Sequence, residues 1–421
     1  MSRVRKMGVV IAGRRILTTA EHLSDLVMVR AQKGGRGKWW DLQLEWIDYH
    51  ANMALLKAAE GQETFWQGMT PVALAEKVPV RGAVEVVRWQ DGNLKREKAE
   101  LYKPIVMGGQ MTFVRHLQLK PESDIVGAGW AEVVMQDGRL VGIASSQGDQ
   151  NLFVLPSSFI QSILDARARG AYTGLGYFDF MWQKGENPDT LKFLKWTGQP
   201  QGVIVTEAGE KPSAPPVFKP GDLILEVEGF PIGTEGDYKD PDYGYLNFEN
   251  LATRGKWAGD TLKVKVWRDG GPVELDYTIP KAEYKDKLVP EHKFDQPPEY
   301  LIAGGLVFVP LTDELLRRWG PDWRQKAPFH LFYYNFKNPT PEHPSLVVLS
   351  LVLPDVFNIG YEDYHFLVID RVNGRQNALA EVAAFAIPLF DRLMLSRGCA
   401  RRHGRARVWC NARPARVIAT T

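Results

Sequence analysis

The first 165 residues alternate short runs of β-forming residues with glycine turns, and this pattern limits the folds open to the chain. The run Leu140–Ile143, for example, follows the pair Asp137-Gly138 after one residue. Such pairs are typical of hairpins because glycine accepts a positive φ without strain. Many short strands with few helices predict an all-β barrel or sandwich for this part of the chain.

A single helix is predicted to close this β-rich part. Apolar side chains recur at helical spacing within Pro156–Ala168, and Ser157 or Ser158 is suited to cap the first turn. A glycine-containing stretch follows the helix at once. These features predict a domain boundary near residue 170.

Two later segments share a strand that ends in a tight turn. In the first, Lys219–Gly229 places the strand Leu223–Val227 between a Pro-Gly turn and a Glu-Gly turn. In the second, Phe366–Gly374 ends in Asn-Gly, which is a strong hairpin signal. The second segment lies in a unit that begins after the proline-rich stretch Phe294–Pro298. This repetition predicts a duplicated domain rather than a solenoid.

Charge and cysteine are concentrated at one end of the chain. The sequence has 52 Lys and Arg against 50 Asp and Glu, yet residues 392–421 contain eight Arg and no acidic residue. Both cysteines, Cys399 and Cys410, lie there, and with one histidine between them they are too few ligands for a zinc site. We expect an aberrant Arg-rich tail over 386–421, with a basic arm for nucleic acid or anionic lipid as the alternative.

Composition and hydropathy exclude other classes of protein. A content of 44% hydrophobic and 24% charged residues is typical of folded globular domains and not of a disordered chain. No apolar run approaches the roughly 20 residues that a membrane helix needs, so no membrane span is predicted. The apolar stretch near the start is interrupted by Arg14-Arg15, and it therefore does not form a signal-peptide core.

Three motifs occur in order along the first part of the chain, namely Ile16–Leu23 (ILTTAEHL), Asp48–Lys57 (DYHANMALLK) and Gly127–Ile143 (GAGWAEVVMQDGRLVGI). With these motifs the chain resembles the HtrA/Deg family of trypsin-like serine proteases that carry PDZ domains. The resemblance implies a mainly β fold, in which a trypsin-like double β-barrel is followed by two PDZ-like α+β domains. The implied domains are a protease-like domain over 1–168, a PDZ domain over 172–283, a second PDZ-like domain over 295–385 and the tail over 386–421.

The same resemblance places Glu21, Asn52 and Gly129 at the positions of the catalytic histidine, aspartate and serine. A serine protease needs a hydroxyl nucleophile, an imidazole that takes its proton and a carboxylate that orients the imidazole. None of these three residues supplies its role, so the triad is predicted to be vestigial, with no catalytic residue. The residues that follow the serine position are also altered, with Trp130, Ala131 and Glu132 in place of two glycines and a proline.

Two alternatives to an inactive protein follow from the same residues. In the first, His22 or His50 belongs to a displaced catalytic set of an active endopeptidase, although Ser145 and Ser146 are more simply interpreted as edge or loop hydroxyls. In the second, the chain is a truncated, non-functional gene product, because it begins inside the first barrel and has no signal peptide. The resemblance alone implies the cell envelope or periplasm as the compartment and protein quality control as the process.

Peptide binding is the predicted function of the implied PDZ domain over 172–283. The segment Gly174-Leu175-Gly176-Tyr177 matches the Gly-Φ-Gly-Φ form of a carboxylate-binding loop, and Phe178 and Phe180 are pocket candidates. A glycine-rich linker is the alternative interpretation. The expected partners are C-terminal or unfolded peptide segments of proteins, together with copies of the chain in a homo-oligomer; no nucleic acid is expected.

Two other patterns predict no binding site. In the second PDZ-like domain over 295–385, Gly304–Phe308 is the nearest counterpart of the carboxylate-binding loop, and a plain turn is favoured there. No cofactor is predicted. The acidic loop Glu235–Tyr243 lacks the ordered ligands of a calcium loop, so a solvated acidic loop is expected. The resemblance to proteases with two PDZ domains implies that the second PDZ-like domain serves more for assembly than for peptide binding.

Overall fold

The computed structural model confirms a mainly β fold. It describes residues 4–90, 93–109, 111–122, 131–145, 152–209, 216–340, 343–354, 358–361, 363–372, 375–376 and 417–420. The chain divides into two compact units, residues 1–282 and residues 283–421. Among the described residues, no helix is both long and apolar enough to cross a membrane.

The first sheet of the first unit has five antiparallel strands in the order β1-β2-β5-β4-β3. Its strands are β1 (Val9–Ile11), β2 (Arg15–Thr18), β3 (Val29–Ala31), β4 (Trp40–Asp48) and β5 (Met53–Ala58). Leu17, Met53 and Leu55 are fully buried on the inner face of this sheet. Two of the three family-like motifs therefore fold into adjacent, paired strands, β2 and β5.

The second sheet closes into a barrel in the order β10-β11-β8-β7-β6-β9. Its strands are β6 (Gly82–Gln90), β7 (Asn93–Gly108), β8 (Arg115–Glu122), β9 (Val133–Gln136), β10 (Arg139–Ala144) and β11 (Val154–Pro156). The hairpin predicted at Asp137-Gly138 joins β9 to β10, and both turn residues have a positive φ, 48° and 76°.

The predicted helix is α1 (Ser157–Ala168), but the predicted serine cap is wrong. The N-cap residue is Pro156, and it makes no side-chain capping bond. The Ser157 hydroxyl instead donates to the Ala75 carbonyl at 2.9 Å, and the Ser158 hydroxyl pairs with the Tyr243 hydroxyl at 2.7 Å. Both hydroxyls therefore hold the helix to other segments rather than capping it.

A third sheet follows in the same unit, in the order β12-β13-β14-β18-β19 with β15 on β14, beside a separate hairpin of β16 and β17. Its elements are β12 (Met181–Lys184), α2 (Pro188–Phe193), β13 (Val203–Glu207), β14 (Leu223–Val227), β15 (Phe230–Pro231), β16 (Asp237–Asp240), β17 (Gly244–Asn247), β18 (Thr261–Arg268) and β19 (Gly271–Thr278). The predicted strand Leu223–Val227 is confirmed as β14.

The third sheet shares its hydrophobic core with the barrel. Leu175 and Trp257 belong to the same buried cluster as Leu17 and Leu155 of the β-rich part. In addition, the Tyr172 hydroxyl donates to the carboxylate of Asp48 at 2.7 Å. The two sheets therefore form one unit, and a domain boundary between residues 168 and 172 stays a prediction.

The second unit contains a sheet in the order β20-β21-β22-β23-β24 with β25 on β23. Its elements are β20 (Leu301–Ala303), β21 (Leu306–Pro310), α3 (Asp313–Leu316), α4 (Trp323–Lys326), α5 (Phe329–Phe332), β22 (Val347–Val352), β23 (Leu367–Val372), β24 (Arg375–Gln376) and β25 (Val417–Thr420). Gly304 and Gly305 form the turn between β20 and β21, both with positive φ. The predicted turn Asn373-Gly374 lies outside the described residues, as do both cysteines.

Candidate functional site

Glu21 and Asn52, two of the three predicted triad positions, lie side by side in the first unit. Glu21 follows β2, and Asn52 lies in the turn between β4 and β5. The Asn52 amide donates to Glu21 Oε1 at 2.5 Å and to the Ser145 carbonyl at 3.1 Å, and Asn52 Oδ1 accepts from the Ala20 N–H at 3.0 Å. Both side chains are buried, with 5% and 3% exposure. Gly129, the third position, lies outside the described residues.

A lysine that the sequence analysis missed is packed against this pair. The Lys6 ammonium donates to the backbone carbonyls of Thr19 and of Glu21, the latter at 2.8 Å. Burial lowers the pKa of Lys6 to about 8, although the nearby Glu21 charge opposes the shift. Burial raises the pKa of the Glu21 carboxyl, and Lys6 opposes that shift in turn. Loss of water therefore disfavours the charged forms of both Lys6 and Glu21.

The segment after the serine position keeps a glycine-like backbone without its glycine. Ala131 has a φ of 55°, a left-handed conformation that an L side chain adopts with strain. Next to it, the buried Glu132 accepts from Arg88 Nε at 3.0 Å, and Arg88 also pairs with Glu97 at 3.0 Å. A buried ion pair thus stands where the family motif has proline.

The hydroxyls and imidazoles near the site are engaged with neighbouring groups. The Ser145 hydroxyl is bonded to Gln118 Oε1 at 3.0 Å and to the Phe153 carbonyl at 3.1 Å. His50 Nδ1 is bonded to the Thr112 hydroxyl at 2.9 Å, and the His22 side chain lies at the surface. Ser146 lies outside the described residues.

The predicted loop Gly174–Tyr177 is hydrogen-bonded to the segments before β18 and after β19. The Gly174 carbonyl accepts from the Ala258 N–H at 3.0 Å, and the Leu175 carbonyl accepts from the Ala282 N–H at 2.9 Å. Gly174 has a φ of 108°, and a methyl group on Gly176 would lie 2.1 Å from Ile279 Cγ2. The glycines are therefore required by backbone conformation and close packing, which distinguishes the segment from a flexible linker.

The side chains of and after this loop point into the protein. Leu175 is 2% exposed, and the Tyr177 ring lies 5.0 Å from that of Phe113 in the barrel. Phe178 and Phe180, the pocket candidates, are both buried in the hydrophobic core of the third sheet. Their rings pack against the core aromatics Phe248, Tyr277 and Phe218.

Two features beside the loop bear on binding and were not found from the sequence. Strand β12 lies at the edge of its sheet and pairs with β13 on one side. Lys281 forms an isolated bridge with Gly176, and a methyl group on Gly174 would lie 3.2 Å from Lys281 Cε. No local pattern marks this lysine, because it is more than a hundred positions away from the loop in the sequence.

A hydrogen bond spans from β12 to the 3₁₀ turn Phe248–Ala252. The Trp182 indole N–H donates to Glu249 Oε1 at 2.8 Å, and the ring lies 5.3 Å from that of Phe248. Glu249 Oε2 in turn pairs with Arg115 of the barrel at 3.2 Å. This chain of contacts fixes the distance between the edge strand and the turn that faces it.

The acidic loop is solvated at Glu235 and Asp242, whose side chains are 56% and 67% exposed, but Asp240 within it is buried. Asp240 is buried and accepts from the Tyr238 hydroxyl at 2.8 Å and from Arg254 Nε at 2.6 Å. Burial would raise the pKa of Asp240, but Arg254 and the hydrogen bonds outweigh it and lower the pKa. Among the described residues, no cluster of three His, Cys, Asp or Glu is placed to hold a metal.

Comparisons with known proteins agree with the motifs. Residues 289–385 match the family model for a PDZ domain. Protease Do-like 4, mitochondrial, of Arabidopsis thaliana is 25% identical over 88% of this chain and 68% of its own length. Protease Do-like 2, chloroplastic, of the same plant is 26% identical over 86% of this chain and 60% of its own length. The chain spans 60 to 71% of the length of six such Arabidopsis relatives.

A solved structure described as HtrA-type protease AlgW with decapeptide is 14% identical, with a TM-score of 0.48 over 66% of this chain and 83% of that chain. The fold is mainly β, with a closed barrel in the first unit and a match to a PDZ domain over residues 289–385. The chain's homologues are the Do-like, or HtrA-type, proteases. The names of those relatives place them in mitochondria or chloroplasts, and an envelope location for this chain stays a prediction.

Proposed function

We propose that this chain is a proteolytically inactive Do-like protein that binds peptide segments of other proteins through its third sheet. The observation that carries the loss of proteolysis is the hydrogen bond from the Asn52 amide to the Glu21 carboxylate. In a working triad, the aspartate carboxylate accepts a hydrogen bond from an imidazole N–H. This bond orients the imidazole toward the serine hydroxyl. Here the polarity of that bond is reversed, and Gly129 has no side chain to activate.

The proposed peptide site is the free edge of β12 beside Gly174–Tyr177. An extended peptide that adds to a sheet edge gains main-chain hydrogen bonds, and its terminal carboxylate needs a positive or N–H-rich end point. Lys281 supports this arrangement because its side chain lies against Gly174. Since Phe178 and Phe180 are buried in the core, we expect backbone pairing and the carboxylate to contribute more than a deep side-chain pocket.

Proteolysis is tested by incubating the purified, folded chain with casein and searching for cleavage products by mass spectrometry. An active Do-like protease in a parallel reaction is the positive control, and we expect no products from this chain. Cleavage that survives repurification and disappears with a serine-directed inhibitor would refute the proposal. The displaced catalytic set would then be the correct interpretation.

Peptide binding is tested with an array of peptides that have free or amidated C-termini. We expect selective binding of free C-termini, and we expect Lys281→Glu to weaken it about tenfold, the equivalent of roughly 1.4 kcal/mol for one charge-assisted contact. Lys192→Glu, an exposed lysine on α2, is the matched control and should bind as wild type. Equal binding of free and amidated peptides would exclude the carboxylate site.

A further inference from the structure

The second unit carries a strip of exposed aromatic rings on α5 and the 3₁₀ turn that continues it, Tyr333–Phe336. Phe329, Tyr333 and Phe336 are 73%, 42% and 69% exposed. Their spacing of four and three residues places them on one helical face. On the opposite face, Leu331 is fully buried in the core of the unit. Leu331 thus packs α5 against the core of the unit, and the opposite face of the helix exposes its aromatic rings to solvent.

The surroundings of this aromatic strip are basic. Arg324, Lys326 and Lys337 are exposed, and the sequence has no acidic residue from 323 to 337. The Lys337 ammonium lies 5.0 Å from the centre of the Tyr333 ring. Lys326 pairs with Asp322 at 3.1 Å, but both groups are exposed, and such a pair contributes little stability.

We propose that the aromatic strip and its flanking lysines dock on an anionic lipid bilayer. A helical face that combines exposed aromatic rings with basic residues fits the boundary between lipid headgroups and acyl chains. Phenylalanine rings with no polar atom gain from burial among acyl chains, and the lysines gain from the negative headgroups. The contact lies on the membrane surface and requires no spanning segment.

Two other occupants fit these features less well. A second copy of the chain, related by a two-fold axis, would bring the same lysines toward each other, which like-charge repulsion opposes. Single-stranded nucleic acid stacks on aromatic rings that lie along a basic groove. Phe329 and Phe336 instead project from the surface, as their high exposure indicates.

The test is co-sedimentation of the full chain with vesicles of phosphatidylcholine, alone or mixed with phosphatidylglycerol. We expect binding to the mixed vesicles and much weaker binding to the neutral ones. Each basic residue near an anionic surface contributes roughly 1 kcal/mol, about fivefold, so Lys326→Glu with Lys337→Glu should weaken binding by about 25-fold or more. Phe329→Ser with Phe336→Ser should weaken it on both kinds of vesicle.

The matched control is Phe193→Ser, because Phe193 is a phenylalanine on α2 with 84% exposure that lies outside the strip. This variant should bind as wild type, and circular dichroism verifies the fold of every variant. No binding of wild type to the mixed vesicles would overturn the proposal. Strip variants that bind vesicles as wild type but change the mass in light scattering, or the binding of an oligonucleotide, would also overturn it and assign the strip to a second copy or to nucleic acid.

Discussion

His116 makes the stability of the first unit depend on pH. The side chain lies on β8, is 1% exposed and stacks on the Phe159 ring of α1 at 4.8 Å. Its Nδ1 faces the Leu117 carbonyl at 3.2 Å, so this nitrogen carries the proton in the neutral ring. Burial lowers the pKa of His116 to about 4, from 6.5 in the unfolded chain, and this outweighs the opposing pull of the Leu117 carbonyl and Asp48.

The sign of the effect follows from proton binding. Below pH 6.5 the unfolded chain takes up this proton more readily than the folded one, so stability is lost as the pH falls toward 4. At pH 5 the loss is about 2 kcal/mol, and it approaches about 3 kcal/mol once the pH is below both pKa values.

The assay is urea unfolding of wild type and His116→Gln at pH 7.5 and pH 5. Glutamine retains a donor for the Leu117 carbonyl but does not titrate, so the variant should lose about 2 kcal/mol less than wild type between the two pH values. Phe193→Ser, an exposed position of the same unit that does not titrate, should keep the wild-type dependence. An equal loss in wild type and His116→Gln would refute a buried neutral imidazole.

Three further substitutions test packing and buried polar contacts. Gly176→Ala would place a methyl group 2.1 Å from Ile279, and urea unfolding should show a loss of about 2 kcal/mol; an unchanged midpoint would contradict the close packing. Tyr172→Phe removes the 2.7 Å bond to the carboxylate at the end of β4, and a thermal melt should show a loss of about 1–2 kcal/mol. Arg268→Met removes two hydrogen bonds from the buried Asp222 and should cost about 3 kcal/mol by urea titration, whereas a neutral result would contradict the pairing of Arg268 with Asp222.

The sequence predicted those elements that depend only on residues close together in the chain. The Asp137-Gly138 hairpin and helix α1 follow from turn residues and from helical periodicity, and both are present. The motif register placed Glu21 and Asn52 at two triad positions, and the hydrogen bond between them is visible only in the structure. The cap failed because the hydroxyls of Ser157 and Ser158 have tertiary partners, which no local pattern reveals.

The residues that sequence reasoning missed are those whose partners are distant in the chain. Lys6 contacts the Glu21 carbonyl and Lys281 packs on Gly174, and neither lysine lies in a motif. A single lysine is far more often a solvated charge than a buried one, so the burial of Lys6 appears only once the strands are assembled. The buried pair Arg88 and Glu132 likewise joins separate strands of the barrel.

The shared core of barrel and third sheet affects how this protein can change over time. Leu175 and Trp257 bury their apolar surface against barrel side chains, so a fragment that starts near residue 170 would expose that surface to water. The barrel is therefore needed as a folding partner whether or not it performs chemistry. Substitutions at the positions of catalytic groups leave this role intact, whereas deletion of the barrel would also disable the proposed peptide edge. Selection for the proposed edge alone would be enough to preserve the whole first unit.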